Sequence, residues 1–87
     1  ENSILLQNYP NPVSTTTRID YNLPEADHIK LDLFNALGVK VQSCVDERKV
    51  PGKHTFVFDG RNYPSGIYYY RLNGSTFKNT KKMIILR

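Results

Sequence analysis

His28, Cys44 and His54 are the side chains of this sequence best suited to ligate a metal or attack a substrate. Their spacing argues against both. A structural zinc site draws four ligands from Cys, His or carboxylate side chains at short, regular intervals. Cys44 is the single cysteine, so it forms no CxxC redox pair and no internal disulfide. His28 falls in a turn region and His54 at the start of an apolar run, each without a spaced partner. Asp20 and Asp32 suit acid–base chemistry only if the fold converges them in a cleft, and alternation puts both on wet strand faces. No GxSxG, HExxH or phosphate-cradling glycine loop occurs. The expectation is a chain with no catalytic residue, no metal and no cofactor, with Cys44 as a small packing side chain.

Aromatic and proline chemistry is richer. The chain has six tyrosines and no tryptophan. A row of exposed tyrosines would stack on sugars, but Tyr21, Tyr68 and Tyr70 fall on inward faces. "PSGIY", Pro64 to Tyr68, has the form of the tyrosine corner of sandwich domains, in which a buried ring bonds its hydroxyl to nearby backbone. Tyr63 and Tyr69 are the candidates for exposure. Near the N-terminus lies "NYPNP": Asn8, Tyr9, Pro10, Asn11 and Pro12. Each proline removes an N–H and pushes its predecessor away from helix, so the stretch is neither helix nor central strand.

The elements that position these residues repeat with period two. "TRIDYNL" sets Thr17, Ile19, Tyr21 and Leu23 on one face. "IKLDLF" sets Ile29, Leu31 and Leu33 opposite Lys30, Asp32 and Phe34. "VKV" turns Val39 and Val41 inward, "HTFVFD" does so for Phe56 and Phe58, and "YYYRL" for Tyr68, Tyr70 and Leu72. Such alternation marks antiparallel strands with one buried and one wet face. Turn signals separate the runs: "LPEADH", "NALG" with Gly38, "DERKVPG", "DGRNYPSG", and Asn73–Gly74, a strong hairpin dipeptide. The pattern predicts an all-β, immunoglobulin-like antiparallel β-sandwich of about seven strands, without helix. Residues 1–12 form an extended Pro-containing linker or edge segment, and 13–87 the sandwich. Tyr9 is expected to anchor the segment.

Composition narrows the function. Eighty-seven residues make one domain. The net charge of +4 is mild, and its lysines are scattered until Lys78, Lys81, Lys82 and Arg87. A nucleic-acid binder shows a denser basic stripe. No apolar run approaches the roughly 20 residues of a membrane span. The sequence opens on Glu1 and reads as a piece of a longer protein.

Taken in order, "LLQNYPNPVSTTTRIDYNLPE", "IKLDLFNALGVKVQ", "PGKHTFVFDGRNYPSGIYYYRL" and "FKNTKKMIILR" resemble the type A C-terminal sorting domain of cargo proteins of the type IX secretion system. The family's Pro-x-Gly-x-Tyr element falls on Pro64, Gly66 and Tyr68, and its glycine turn on Asn73 and Gly74. Its terminal lysine-plus-aliphatic element falls on Lys81, Lys82, Met83, Ile84, Ile85 and Leu86. A phenylalanine usually follows the second proline of the opening motif; here it is Val13. The resemblance implies a non-enzymatic address label in a Bacteroidota-type bacterium. A cargo domain precedes it, the outer-membrane translocon recognises it in the periplasm, and a sortase-like cysteine peptidase removes it. The cargo then stays at the cell surface or is secreted. Nucleic acid and stable membrane insertion play no part. The rival reading is a stationary fibronectin-like or carbohydrate-binding sandwich. For the last strand, two compatible roles are open: completing the core, or adding to a strand of the machinery.

Overall fold

The computed structural model describes residues 4–87. Six strands are formed: β1 Thr16–Leu23, β2 Asp27–Asn35, β3 Lys40–Lys49, β4 Gly52–Asp59, β5 Gly66–Asn73 and β6 Lys78–Ile85. They make two antiparallel sheets, β1–β4 and β3–β2–β5–β6. The chain changes sheet between β3 and β4 across Val50 and Pro51, where proline denies the ladder a donor. The immunoglobulin-like sandwich expected from alternation is therefore present, with six strands instead of seven.

The missing strand is the N-terminal segment, here called the strap. It pairs with two sheets in turn and so never forms a continuous ladder. Residues 4–9 run antiparallel to the free edge of β1, through Asn22 N–H to Ile4 O (2.8 Å), Leu6 N–H to Asp20 O (3.0 Å) and a reciprocal Tyr9–Arg18 pair. The segment then crosses the layers through Pro10 and Pro12, and Val13 forms a parallel bridge to Ile85 in the other sheet. The Tyr9–Pro10 and Asn11–Pro12 peptide bonds are both cis.

Side-chain alternation builds the core. Ile19, Tyr21 and Leu23 of β1 meet Phe58 of β4 and, across the sandwich, Ile29, Leu31, Leu33, Tyr70 and Leu72, all essentially inaccessible. Leu5 and Val13 are equally buried, so the strap supplies core as well as backbone bonds. Phe56, expected in the core, is only half-buried, because it lies beside Ile19 on the narrower two-stranded sheet.

The expectations for Val39, Val41, Asp32 and His28 fail on the four-stranded sheet. Val41, expected inward, is 37% exposed, and Val39 lies before β3, in the turn, and is 55% exposed. The β2–β3 ladder slips twice, between Leu31 and Asp32 and between Leu33 and Phe34, leaving Cys44 and Val41 as extra residues on β3. Each bulge reverses the phase of the alternation. Asp32 does lie on the outer face, opposite Arg71, yet is only 5% exposed. His28 belongs to β2 and not to a turn, and its ring meets Asp46 at 2.6 Å.

The turns follow their sequence signals. Asn35 closes the β2–β3 turn, its side-chain oxygen accepting from Leu37 and Val39 N–H, and Gly38 takes φ 85°, where a side chain would be strained. Gly74 works differently. A Cβ there would lie against the Phe77 ring and 2.7 Å from the Asp27 carboxylate, so any larger residue would have to displace one or both side chains. That carboxylate also accepts from Ser75 N–H and Oγ–H, fastening the β5–β6 loop to the start of β2.

Tyr68 is the tyrosine corner. Its ring is buried, its hydroxyl donates to Pro64 O at 2.8 Å, and Tyr63 meets it edge-on at 5.9 Å. Tyr68→Ala is expected to cost roughly 3–5 kcal/mol through lost burial and a cavity. Tyr68→Phe is expected to cost about 1 kcal/mol through the lost hydrogen bond. Denaturant melts of the two variants check both the order and the gap; equal stability of Tyr68→Ala and parent would remove the corner from the core.

Candidate functional site

The last strand and the strap form one structural unit. Odd residues of β6 turn toward the core: Met83 and Ile85 are fully buried, and Lys81 is half-buried near the rim. Even residues face out: Lys82 is exposed, Ile84 half-buried and Leu86 58% exposed. Completing the core is therefore the work of Met83 and Ile85, while Lys82, Ile84 and Leu86 remain on the surface. Tyr69 lies opposite Lys82 and Tyr70 opposite Lys81.

β6 is an edge strand, but much of its outer edge is taken by the strap. Val13 N–H donates to Ile84 O at 2.8 Å, and Leu86 N–H donates to Val13 O at 2.9 Å. Ile84 N–H donates to the Asn11 side-chain oxygen at 3.0 Å, and the Gln7 amide donates to Lys82 O at 2.6 Å. Strand addition by an outside chain is thus blocked from Ile84 to Leu86 while the strap is seated. Arg87 closes the end of the strand, its guanidinium donating to the carbonyls of Gly60 and Tyr63 and its N–H to Ser65 Oγ. Pro64 and Gly66 flank that seat.

The NYPNP motif is held by its asparagines. Tyr9, expected to be the anchor, is 74% exposed, whereas Asn8 is 2% exposed. The Asn8 amide donates to Thr17 Oγ1 and Pro10 O, and its oxygen accepts from Gln7 Nε2. Thr17 Oγ1–H in turn donates to Pro10 O at 2.9 Å. Pro10 has no N–H to satisfy and offers only its carbonyl, so the turn is pinned without an orphaned donor.

Tyr70 joins the strap to the core. Its hydroxyl donates to Leu6 O at 2.7 Å and accepts from Asn8 N–H at 2.7 Å. The ring is fully buried, and burial pushes the phenol up to about 12 against the lesser pull of the Asn8 N–H. The hydroxyl accordingly stays protonated and able to donate across the physiological range.

The residues first considered for chemistry are scattered. Asp20 bonds Thr55 and pairs with Arg18 on the outer face of the two-stranded sheet, and Asp32 lies on the other sheet. His54 stacks on Tyr21 at 5.4 Å. Cys44 packs beside the core, where burial pushes its thiol up to about 12. Among the described residues no group of three or more His, Cys, Asp or Glu is arranged to hold a metal ion. Among the described residues no helix is long and apolar enough to cross a membrane. A depression of about 300 Å³ lies over Asn22, Lys53 and Thr55, with Leu6 on its wall.

Two strap-closed sheets with a tyrosine corner define a small all-β module of immunoglobulin-like type. The family model described as "Secretion system C-terminal sorting domain" matches residues 7–86, and the chain belongs to that family, the sorting domains of type IX secretion. No curated protein and no solved structure matches the chain. The matched span takes in the strap from Gln7 onward and all of β6. Gln7, Asn11 and Arg87 were not legible as edge-closing groups, because their partners are backbone atoms more than twenty positions away.

Tyr70→Phe keeps the ring and removes both strap bonds. With Leu6 O and Asn8 N–H left unpaired, stability is expected to fall by about 1–3 kcal/mol. The parent's phenol is raised from 10.0 to about 12, so its stabilisation is intact below pH 10 and is lost as pH rises through that window. Tyr70→Phe is expected to lose less stability than the parent between pH 10 and 12. Urea titrations at those pH values check this; parallel losses in the two proteins would assign the alkaline transition elsewhere.

Proposed function

We propose that this domain is a non-catalytic, removable address label, which carries an N-terminally attached cargo from the periplasm through the type IX outer-membrane translocon. Membership of the sorting-domain family over residues 7–86 is the observation that carries the reading. The domain acts as a substrate of the pathway: the translocon binds the folded sandwich, and a sortase-like cysteine peptidase then cuts the cargo free for surface attachment or release.

The strap bounds where that cut can fall. Leu5 is fully buried and Ile4 bonds β1, so a cut upstream of Ile4 leaves the sandwich whole. A cut inside the strap strips core residues and reopens two sheet edges. We propose cleavage upstream of Ile4, with the strap staying on the discarded label.

Recognition in this reading uses the Pro64–Gly66–Tyr68 corner, the Gly74 loop and β6 from Lys81 to Leu86. Lys82 is the exposed lysine of the Lys81–Leu86 stretch and suits an electrostatic encounter. Met83 and Ile85 act through the fold, since both are buried.

Residues 1–87 fused behind a periplasm-directed fluorescent protein, in a bacterium that owns the type IX machinery, are expected to send the reporter to the surface or medium with the label removed. Lys82→Glu is expected to change stability by less than about 0.5 kcal/mol and to slow export. Lys81→Glu is read only beside a melt, because Lys81 is half-buried. Retention of the parent fusion in the periplasm would overturn the sorting reading. Full-rate export of a stable Lys82→Glu fusion would leave that reading intact and reduce the lysine to a solvated face.

A further inference from the structure

The outer face of the four-stranded sheet carries apolar side chains that the fold does not bury. Tyr69 is 37% exposed and Ile67 43%, with Phe34 and Ile84 half-buried beside them. Cross-strand register gathers them: Phe34 lies opposite Tyr69, and Ile67 opposite Ile84. Cations rim the group. Lys40 lies opposite Phe34 on one flank and Lys82 opposite Tyr69 on the other. The Arg71 guanidinium sits 4.7 Å above the Phe34 ring.

Negative charge is scarce at this end of the sheet. Asp32 is buried, with Lys40 Nζ at 3.9 Å, and its Oδ1 has no hydrogen-bond partner. Asp46, farther along β3, is held by His28 at 2.6 Å. An apolar centre ringed by Lys40, Arg71 and Lys82 is complementary to a surface that is apolar and anionic together.

The strand bordering this face favours a polypeptide over a lipid or free phosphate. Ile84 turns its N–H and C=O to the open side of β6, so by alternation Thr80 does the same. By the same alternation Thr80 N–H and C=O and Lys82 N–H point away from β5. An extended chain satisfies donors and acceptors alike, whereas a phosphate supplies no N–H for Thr80 O.

We propose that this face docks an extended acidic segment of a partner protein. The segment lies along Thr80 to Lys82, sets carboxylates beside Lys82 and Arg71, and folds aliphatic side chains over Tyr69 and Ile67. The identification of that partner with the export machinery rests on the sorting reading; the docking itself does not.

The test titrates the 87-residue protein, followed by amide chemical shifts, with three probes. These are a short peptide alternating glutamate and valine, its lysine counterpart, and phosphatidylglycerol vesicles. The acidic peptide is expected to bind, to shift Ile67, Tyr69, Thr80 and Lys82, and to weaken as salt rises. Arg71→Gln with Lys82→Glu is expected to weaken it by about tenfold or more. Val57→Glu, on the outer face of the other sheet, is expected to leave binding unchanged. Equal binding of the lysine peptide, shifts confined to the other sheet, binding of vesicles alone, or no binding would each overturn the proposal. In cells, Ile67→Ser with Tyr69→Ser separates the two readings. If the parent fusion is exported and this folded variant is exported as fast, the face plays no part in sorting and the docking proposal's link to export falls. If the parent fusion is retained, sorting falls while the titration still decides the docking.

Discussion

One phenol hydroxyl, that of Tyr70, determines whether this sandwich has open or closed sides. It spans the core from β5 and takes hold of the strap on both sides of Gln7, at Leu6 O and Asn8 N–H. With it seated, Leu5 and Val13 fill the core, and the outer edge of β1 and the end of β6 are covered. Without it, two backbone groups lose their partner inside the protein, where water cannot replace it cheaply. Small sandwiches gain little from a thin core, so such a closure carries a large share of their stability.

This dependence links the two ends of the sequence. The backbone of Ile84 and Leu86 is held by Asn11 and Val13, and Arg87 is seated by the loop that precedes the tyrosine corner. What a partner meets at the last strand is therefore set as much by the first dozen residues as by the strand itself. The less covered part of the edge, around Thr80 and the Lys82 N–H, follows the usual practice of guarding an edge with lysine. Its neighbours Tyr69 and Ile67 lack that protection on their exposed face.

Much of the architecture was legible because period-two alternation survives wherever strands pair regularly. Ile19, Tyr21, Leu31, Phe58, Tyr68 and Tyr70 fell on the inward face as expected. The tyrosine corner was readable from "PSGIY", since that local sequence carries its own hydrogen-bond partner four residues upstream. Val41 was misjudged because bulges on β3 reverse the phase, and no residue type announces a bulge; Val39 was misjudged because it lies before β3, in the exposed turn. The strap was half legible: its prolines excluded helix, but its pairing depends on Asn8, Asn11 and Gln7 meeting backbone distant in sequence. Tyr9, the showier residue, points to water.

The course of the strap beside β6 also fixes how the domain meets mechanical load. Leu5 N–H bonds Asn79, Gln7 reaches Lys82, Asn11 reaches Ile84 and Val13 bridges Ile85, so the two run in the same direction. The N-terminal end of the strap and the C-terminal end of β6 thus lie at opposite ends of one ribbon. Tension between them pulls along the ribbon, and these bonds share the force together in shear instead of opening one after another like a zipper. Resistance to forced unfolding is a matter of rate, and this geometry concentrates it in the contacts between the strap and the last strand. A domain dragged by one end while gripped by the other would hold its shape longest there.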